Sequence, residues 1–128
     1  MGKVTMGLRL LLGLIYTVFG LNFFFGFIPL PPMPGKSGEF LGQLIGTGYL
    51  FHLLKVVEVS SGIMLLSGFY VPLALVLLAP ITLNIFLFHA FLAPAGMFLQ
   101  VAMLIINIYL GYAYREYYTE IFTQKAEV

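Results

Sequence analysis

The chain has 128 residues, 61% of them apolar and 9% charged, with a formal net charge of +1 and a mean hydropathy of +1.03. That is more apolar surface than one small soluble core can bury, which excludes a soluble globular enzyme and points to an integral membrane protein of one domain. The charge supplies no basic field for nucleic acid, and the absence of cysteine removes disulfides, thiolate nucleophiles, iron–sulfur clusters and thiolate–zinc sites.

A membrane span needs about 20 apolar residues at a rise of about 1.5 Å each. Four stretches reach that length, at about residues 5–28, 48–69, 71–92 and 95–117. Lys3 and Arg9 ahead of the first run resemble a signal peptide, but Phe19 to Phe27 offers no small-residue cleavage site, so a retained first helix is expected. A proline-rich outer loop follows at 29–38, where Pro29, Pro31, Pro32, Pro34, Gly35 and Gly38 cannot propagate a helix. Between Lys36 and Gly46, Phe40, Leu41, Leu44 and Ile45 share one helical side and predict a short helix lying in the outer interface. Gly68 with Pro72, and Pro94 with Gly96, mark tight turns, so consecutive spans are antiparallel neighbours. The expected fold is all-α: an integral membrane antiparallel four-helix bundle. An even number of spans puts both termini on one side, and Lys3, Arg9, Arg115 and Lys125 against Lys36 alone make that side cytoplasmic in the cell membrane. Tyr109, Tyr112, Tyr114, Tyr117 and Tyr118 crowd the end of the last span, as rings at the headgroup level do.

Ionisable side chains inside a span cost about 2.5–3.5 kcal/mol each on insertion scales, so His52, Lys55, Glu58 and His89 need partners or a purpose. His52, Lys55 and Glu58 are spaced by three and share a slowly drifting face of the second span, continued by Ser61 and Gly62. Gln100, Asn107 and Tyr114 recur every seven residues on the fourth span with Gly111 between them, and Thr82 and His89 do so on the third. Counted from the span midpoints, Glu58 and Asn107 fall near the midplane, while Asn22, His52, Lys55, Asn84, His89 and Gln100 are displaced away from the termini. The opposite half carries chiefly Arg9, the Ser60, Ser61 and Ser67 hydroxyls and tyrosines. A polar pocket in the outer half, closed below, is therefore expected, walled by Phe23, Phe24, Phe86, Phe88, Phe91 and Phe98. A competing reading has Lys55 and Glu58 neutralising each other, with Asn and Gln as packing glue between helices. Lys before Glu is the weaker helical ordering, so a third partner from Asn22, Asn84 or His89 is expected. Two histidines with Glu58 could bind a metal by residue type, but no ligand motif supports it and no metal is expected. The glycines at 7, 13 and 20 are expected to permit close helix packing.

These stretches together resemble the DoxX-like family of small four-span membrane proteins. The resemblance is carried by GLRLLLGLIYTVFGLNFFFGF at 7–27, PLPPMPG at 29–35, LLKVVEVSSGIMLLSGFYVPLALVLLAP at 53–80 and NIFLFHAFL at 84–92. Glu58 followed by Gly62, and the Asn84 to His89 spacing, make it specific, and it implies Asn22, Glu58, Asn84 and His89 as the family's polar positions. It also implies a range of roles: subunits of quinone-linked sulfur oxidation or partners in redox complexes in some relatives, and an assembly helper for ligand-gated receptors or an endoplasmic cargo receptor in animals. Without cysteine this chain has no thiol relay, which sets direct thiosulfate or disulfide chemistry aside.

Two functions are expected from this. In the first, the outer pocket binds a small lipophilic molecule such as a quinone or isoprenoid, with Glu58 and His89 bonding its head, and the chain acts as a binding protein or redox-complex subunit. In the second it is an accessory protein that assists assembly of another membrane protein. Ion passage along the stripe is disfavoured by the poorly polar cytoplasmic half. No dinucleotide, haem-attachment or metal motif is present, so a complete enzyme is not expected; quinone is the only cofactor candidate, and a homo-oligomer stays open.

Overall fold

The computed structural model describes residues 2–28, 33, 35–92, 94, 97–121 and 123. Among these the chain is helical throughout: α1 (Lys3–Phe25), α2 (Gly35–Gly46), α3 (Leu50–Ser67), α4 (Val71–Leu92) and α5 (Phe98–Ala113), then a 3-10 turn over Arg115–Tyr118. α1, α3 and α4 are long and apolar enough to cross a membrane, and α5 is a shorter apolar helix of 16 residues.

Local chemistry sets where each helix stops. α1 ends three residues before the expected position because Gly26 turns left-handed, at φ 63°, and returns its N–H to the Asn22 carbonyl. The Asn22 side chain then accepts the Ile28 N–H at 2.6 Å, turning the chain out of the helix. α3 ends the same way at Gly68, φ 82°, whose N–H reaches the Met64 carbonyl. Pro72 stands in the first turn of α4, where a missing N–H breaks no helical bond. Pro80 lies inside α4 and removes one bond from the helical ladder. α5 gives way to the 3-10 turn four residues before the expected end, and the Tyr118 hydroxyl ties that turn back by donating to the Pro72 carbonyl at 2.9 Å. The short helix expected from Lys36 to Gly46 is α2; it starts at Gly35, so the loop is shorter than the expected 29–38, and the prolines at 29, 31, 32 and 34 lie outside the described residues.

The helices close a ring: α1 packs on α3, α3 on α4, α4 on α5 and α5 on α1, with α2 leaning on α3 and α4. α1 against α3 is the most extensive contact. Glycines allow it: a Cβ on Gly13 would lie 2.9 Å from the Gly62 carbonyl oxygen, and one on Gly20 would lie 2.6 Å from Val59. Gly7, expected to do likewise, has open space around it. The start of α1 and the end of α5 are joined by a 2.8 Å bond between the Thr5 and Tyr109 hydroxyls, while the Arg9 guanidinium lies over Gly68 in the α3–α4 turn. Neighbours in the ring are therefore antiparallel, and Lys3, Arg9 and Arg115 gather at one end of the molecule; Lys125 lies outside the described residues.

The buried apolar residues crowd that same end: Leu12 and Tyr16 of α1, Leu65 of α3, Val71, Ala74, Leu75 and Leu78 of α4, and Met103, Ile106 and Leu110 of α5. Leu53, Val56, Ile63, Leu73, Ile105 and Ile108 point outward and are half or more exposed. So large an apolar exterior is stable only against lipid.

Candidate functional site

At the end opposite the termini the ring is hollow. All five helices line a cavity of about 610 Å³, a volume within the range of small-molecule sites. α1 contributes Ile15, Tyr16 and Phe19, and α2 lays Phe40, Leu41 and Leu44 across it. α3 adds Phe51, Leu54, Lys55 and Glu58, α4 adds Asn84, Ile85, Phe88 and His89, and α5 adds Leu99, Gln100 and Met103, with Met33 ahead of α2. Phe19, Phe40, Asn84 and Leu99 line the cavity yet are themselves exposed, so they mark its mouth.

Five of the eight polar residues singled out in the sequence meet here: Lys55, Glu58, Asn84, His89 and Gln100. Glu58 is 3% exposed and receives a hydrogen bond from Lys55 Nζ at 3.4 Å. The Lys55 ammonium also sits over the Phe51 ring, 5.1 Å from its centre. The expected third partner for this pair is absent among the described residues: Asn22 bonds Ile28, His89 Nδ1 donates to the Ile85 carbonyl at 2.9 Å, and Asn84 bonds neither Lys55 nor Glu58. Gln100 Oε1 is shielded and has no hydrogen-bond partner among the described residues.

The other three lie elsewhere. Asn22 caps the end of α1. His52 is exposed, with its ring set edge-on to Phe23 at 5.1 Å. Asn107 is buried deeper, where its Oδ1 accepts the Thr82 hydroxyl proton at 2.8 Å. That bond fixes a third: with its proton on Asn107, Thr82 can only accept from Tyr16, so the Tyr16 hydroxyl donates to Thr82. This buried Tyr16–Thr82–Asn107 chain stitches α1, α4 and α5 together beneath the cavity.

The aromatic wall also differs from expectation. Of the six phenylalanines named, Phe88 lines the cavity and Phe86 does not; Phe23 and Phe24 pack with His52, and Phe91 and Phe98 point outward at 79% and 88% exposure. Phe19, Phe40 and Phe51 take their places, with Phe40 and Phe88 in ring contact at 5.6 Å. Tyr16 was the residue least visible in the sequence: it sits in an unbroken apolar run, and only the amphipathic character of its ring hinted at a buried partner. Among the described residues no three of His, Asp and Glu come together as metal ligands.

The DoxX family model matches residues 4–90, which run from the start of α1 to near the end of α4. The chain belongs to the DoxX family. No curated protein and no solved structure matches it. The DoxX match takes in Tyr16, Lys55, Glu58, Asn84 and His89, whereas Gln100 and Asn107 lie beyond it on α5. As a DoxX protein with apolar helices, the chain is a membrane protein in contact with the lipid bilayer.

Proposed function

We propose that the chain crosses the cell membrane four times with both termini in the cytoplasm, and that its cavity holds a small lipophilic molecule such as a quinone or an isoprenoid. In this reading it is a binding protein or the non-catalytic subunit of a membrane redox complex. The observation that carries the reading is the cavity itself. Its walls are rings and aliphatic chains, its mouth opens on the apolar exterior, and its few polar groups, Glu58, Lys55, His89 and Gln100, converge inside. A molecule with an apolar tail and a polar head would place the head beside Glu58 and His89 and run its tail out past Phe19, Phe40 and Leu99.

The test is native mass spectrometry with lipid extraction on protein purified in mild detergent, comparing wild type with Glu58→Ala. A stoichiometric small molecule in the wild type that is lost in the variant supports the reading. A wild type carrying only bulk lipid removes it and favours the accessory role in assembling another membrane protein. The topology has its own test: the chain has no cysteine, so single cysteines placed at Lys36 and at Thr119 can be labelled from each side of intact cells. Labelling of both from the same side would refute four crossings.

A further inference from the structure

The cavity's hydrogen bonds also bear on which head group fits, an inference that rests on the reading of the cavity as a lipophilic binding site. Two side chains that commonly donate to a bound carbonyl, a tyrosine and a histidine, stand in its wall with their protons already engaged. The Tyr16 hydroxyl proton goes to Thr82, because Thr82 gives its own to Asn107. The His89 Nδ1 proton goes to the Ile85 carbonyl, an oxygen that can only accept, so in the neutral ring Nε2 carries a lone pair and no proton.

What remains is rich in acceptors. Among the described residues, Glu58 takes one bond from Lys55 and keeps further lone pairs, His89 Nε2 is free to accept, and Gln100 Oε1 is shielded with nothing donating to it. On the donor side stand the Lys55 ammonium, held between the Glu58 carboxylate and the face of Phe51, and the side-chain amide nitrogens of Gln100 and, at the mouth, Asn84. A carbonyl head can accept from these donors but brings no proton to Glu58 or His89 Nε2. A hydroxyl head can give its proton to Glu58, His89 or Gln100 and still accept from Lys55.

We propose that the cavity selects lipids whose head is a hydroxyl, a hydroquinone or an isoprenoid alcohol, over the corresponding quinone or ether. The mouth at Phe19, Phe40 and Leu99 admits the chain of such a lipid from the bilayer side.

The test is a native mass-spectrometric titration of the full-length wild type with four probes: 2-decylhydroquinone kept reduced under argon, its quinone, its dimethyl ether, and farnesol. The hydroquinone should bind about tenfold more tightly than the ether and the quinone, the size expected when a buried acceptor gains its donor. The stronger of hydroquinone and farnesol identifies the source of the hydroxyl. His89→Phe keeps a ring in the wall and should shrink the hydroxyl preference while leaving quinone binding unchanged. Equal binding of hydroquinone, quinone and ether would overturn the head-group preference and leave the cavity reading standing. Failure of all four to bind would overturn both.

Discussion

Replacing Gly62 with alanine should separate two helices that now meet backbone to backbone. A Cβ at this position would lie 2.9 Å from the Gly13 carbonyl oxygen and 2.9 Å from the Thr17 backbone nitrogen, with the Thr17 hydroxyl closer still. Relaxed contacts of carbon lie near 3.5 Å or beyond, so α1 and α3 would have to part by about 0.6 Å. Two of the crowding atoms belong to the backbone of α1, and no rotamer change relieves them. Overpacking of this kind costs about 1–3 kcal/mol. The expected outcome is a loss of that size in reversible unfolding by dodecyl sulfate in bicelles, followed by circular dichroism. Gly13→Ala should behave alike, since its Cβ would meet the Gly62 carbonyl oxygen at the same 2.9 Å. Gly7→Ala is the control: nothing lies within 4 Å of its Cβ position, and alanine is favoured over glycine in a helix by up to about 1 kcal/mol. If Gly62→Ala proved as stable as Gly7→Ala, the close approach of α1 and α3 would be wrong.

Three further outcomes are expected. Thr82→Val, nearly isosteric, leaves the Tyr16 proton and the Asn107 carbonyl unpaired in the core and should cost about 1–3 kcal/mol in the same unfolding assay, with Thr82→Ser largely restoring stability. Lys55→Met strands Glu58 at 3% exposure and should cost about 3–5 kcal/mol, whereas the pair Lys55→Met with Glu58→Leu should cost clearly less; additive losses would show that the two do not interact. Asn22→Ala removes the acceptor of the Ile28 N–H and should speed hydrogen exchange at Ile28 about tenfold or more with exchange in α3 unchanged.

The helices were legible in the sequence because prolines and glycines punctuate it, and the expected 71–92 coincides with α4. Their ends were less so, since they depend on single bonds such as the one from Ile28 to Asn22, which spacing does not reveal. The same limit governs the site. Lys55 is about 60° around α3 from Glu58, but His52, six residues away at about 100° each, is about 120° from it, and that rotation carries its ring out of the cavity to Phe23. Asn107 does share the face of Gln100, yet it lies about 10 Å further along α5, beneath the cavity, where Thr82 meets it. The placement of the phenylalanines depended on how each helix is rotated in the ring and on α2, whose apolar side the sequence showed without showing what it would cover.

Pro80 divides α4 between two tasks. On one side of it, Val71, Ala74, Leu75 and Leu78 are locked in the apolar core; on the other, Asn84, Ile85, Phe88 and His89 form a wall of the cavity. The proline ring offers no proton to the Val76 carbonyl, so the two segments are joined by one bond fewer than any other point along the helix. That missing rung falls two residues before Thr82, whose bonds to Tyr16 and Asn107 fasten the cavity half of α4 to α1 and α5, so side chains carry across the break what the helical ladder does not.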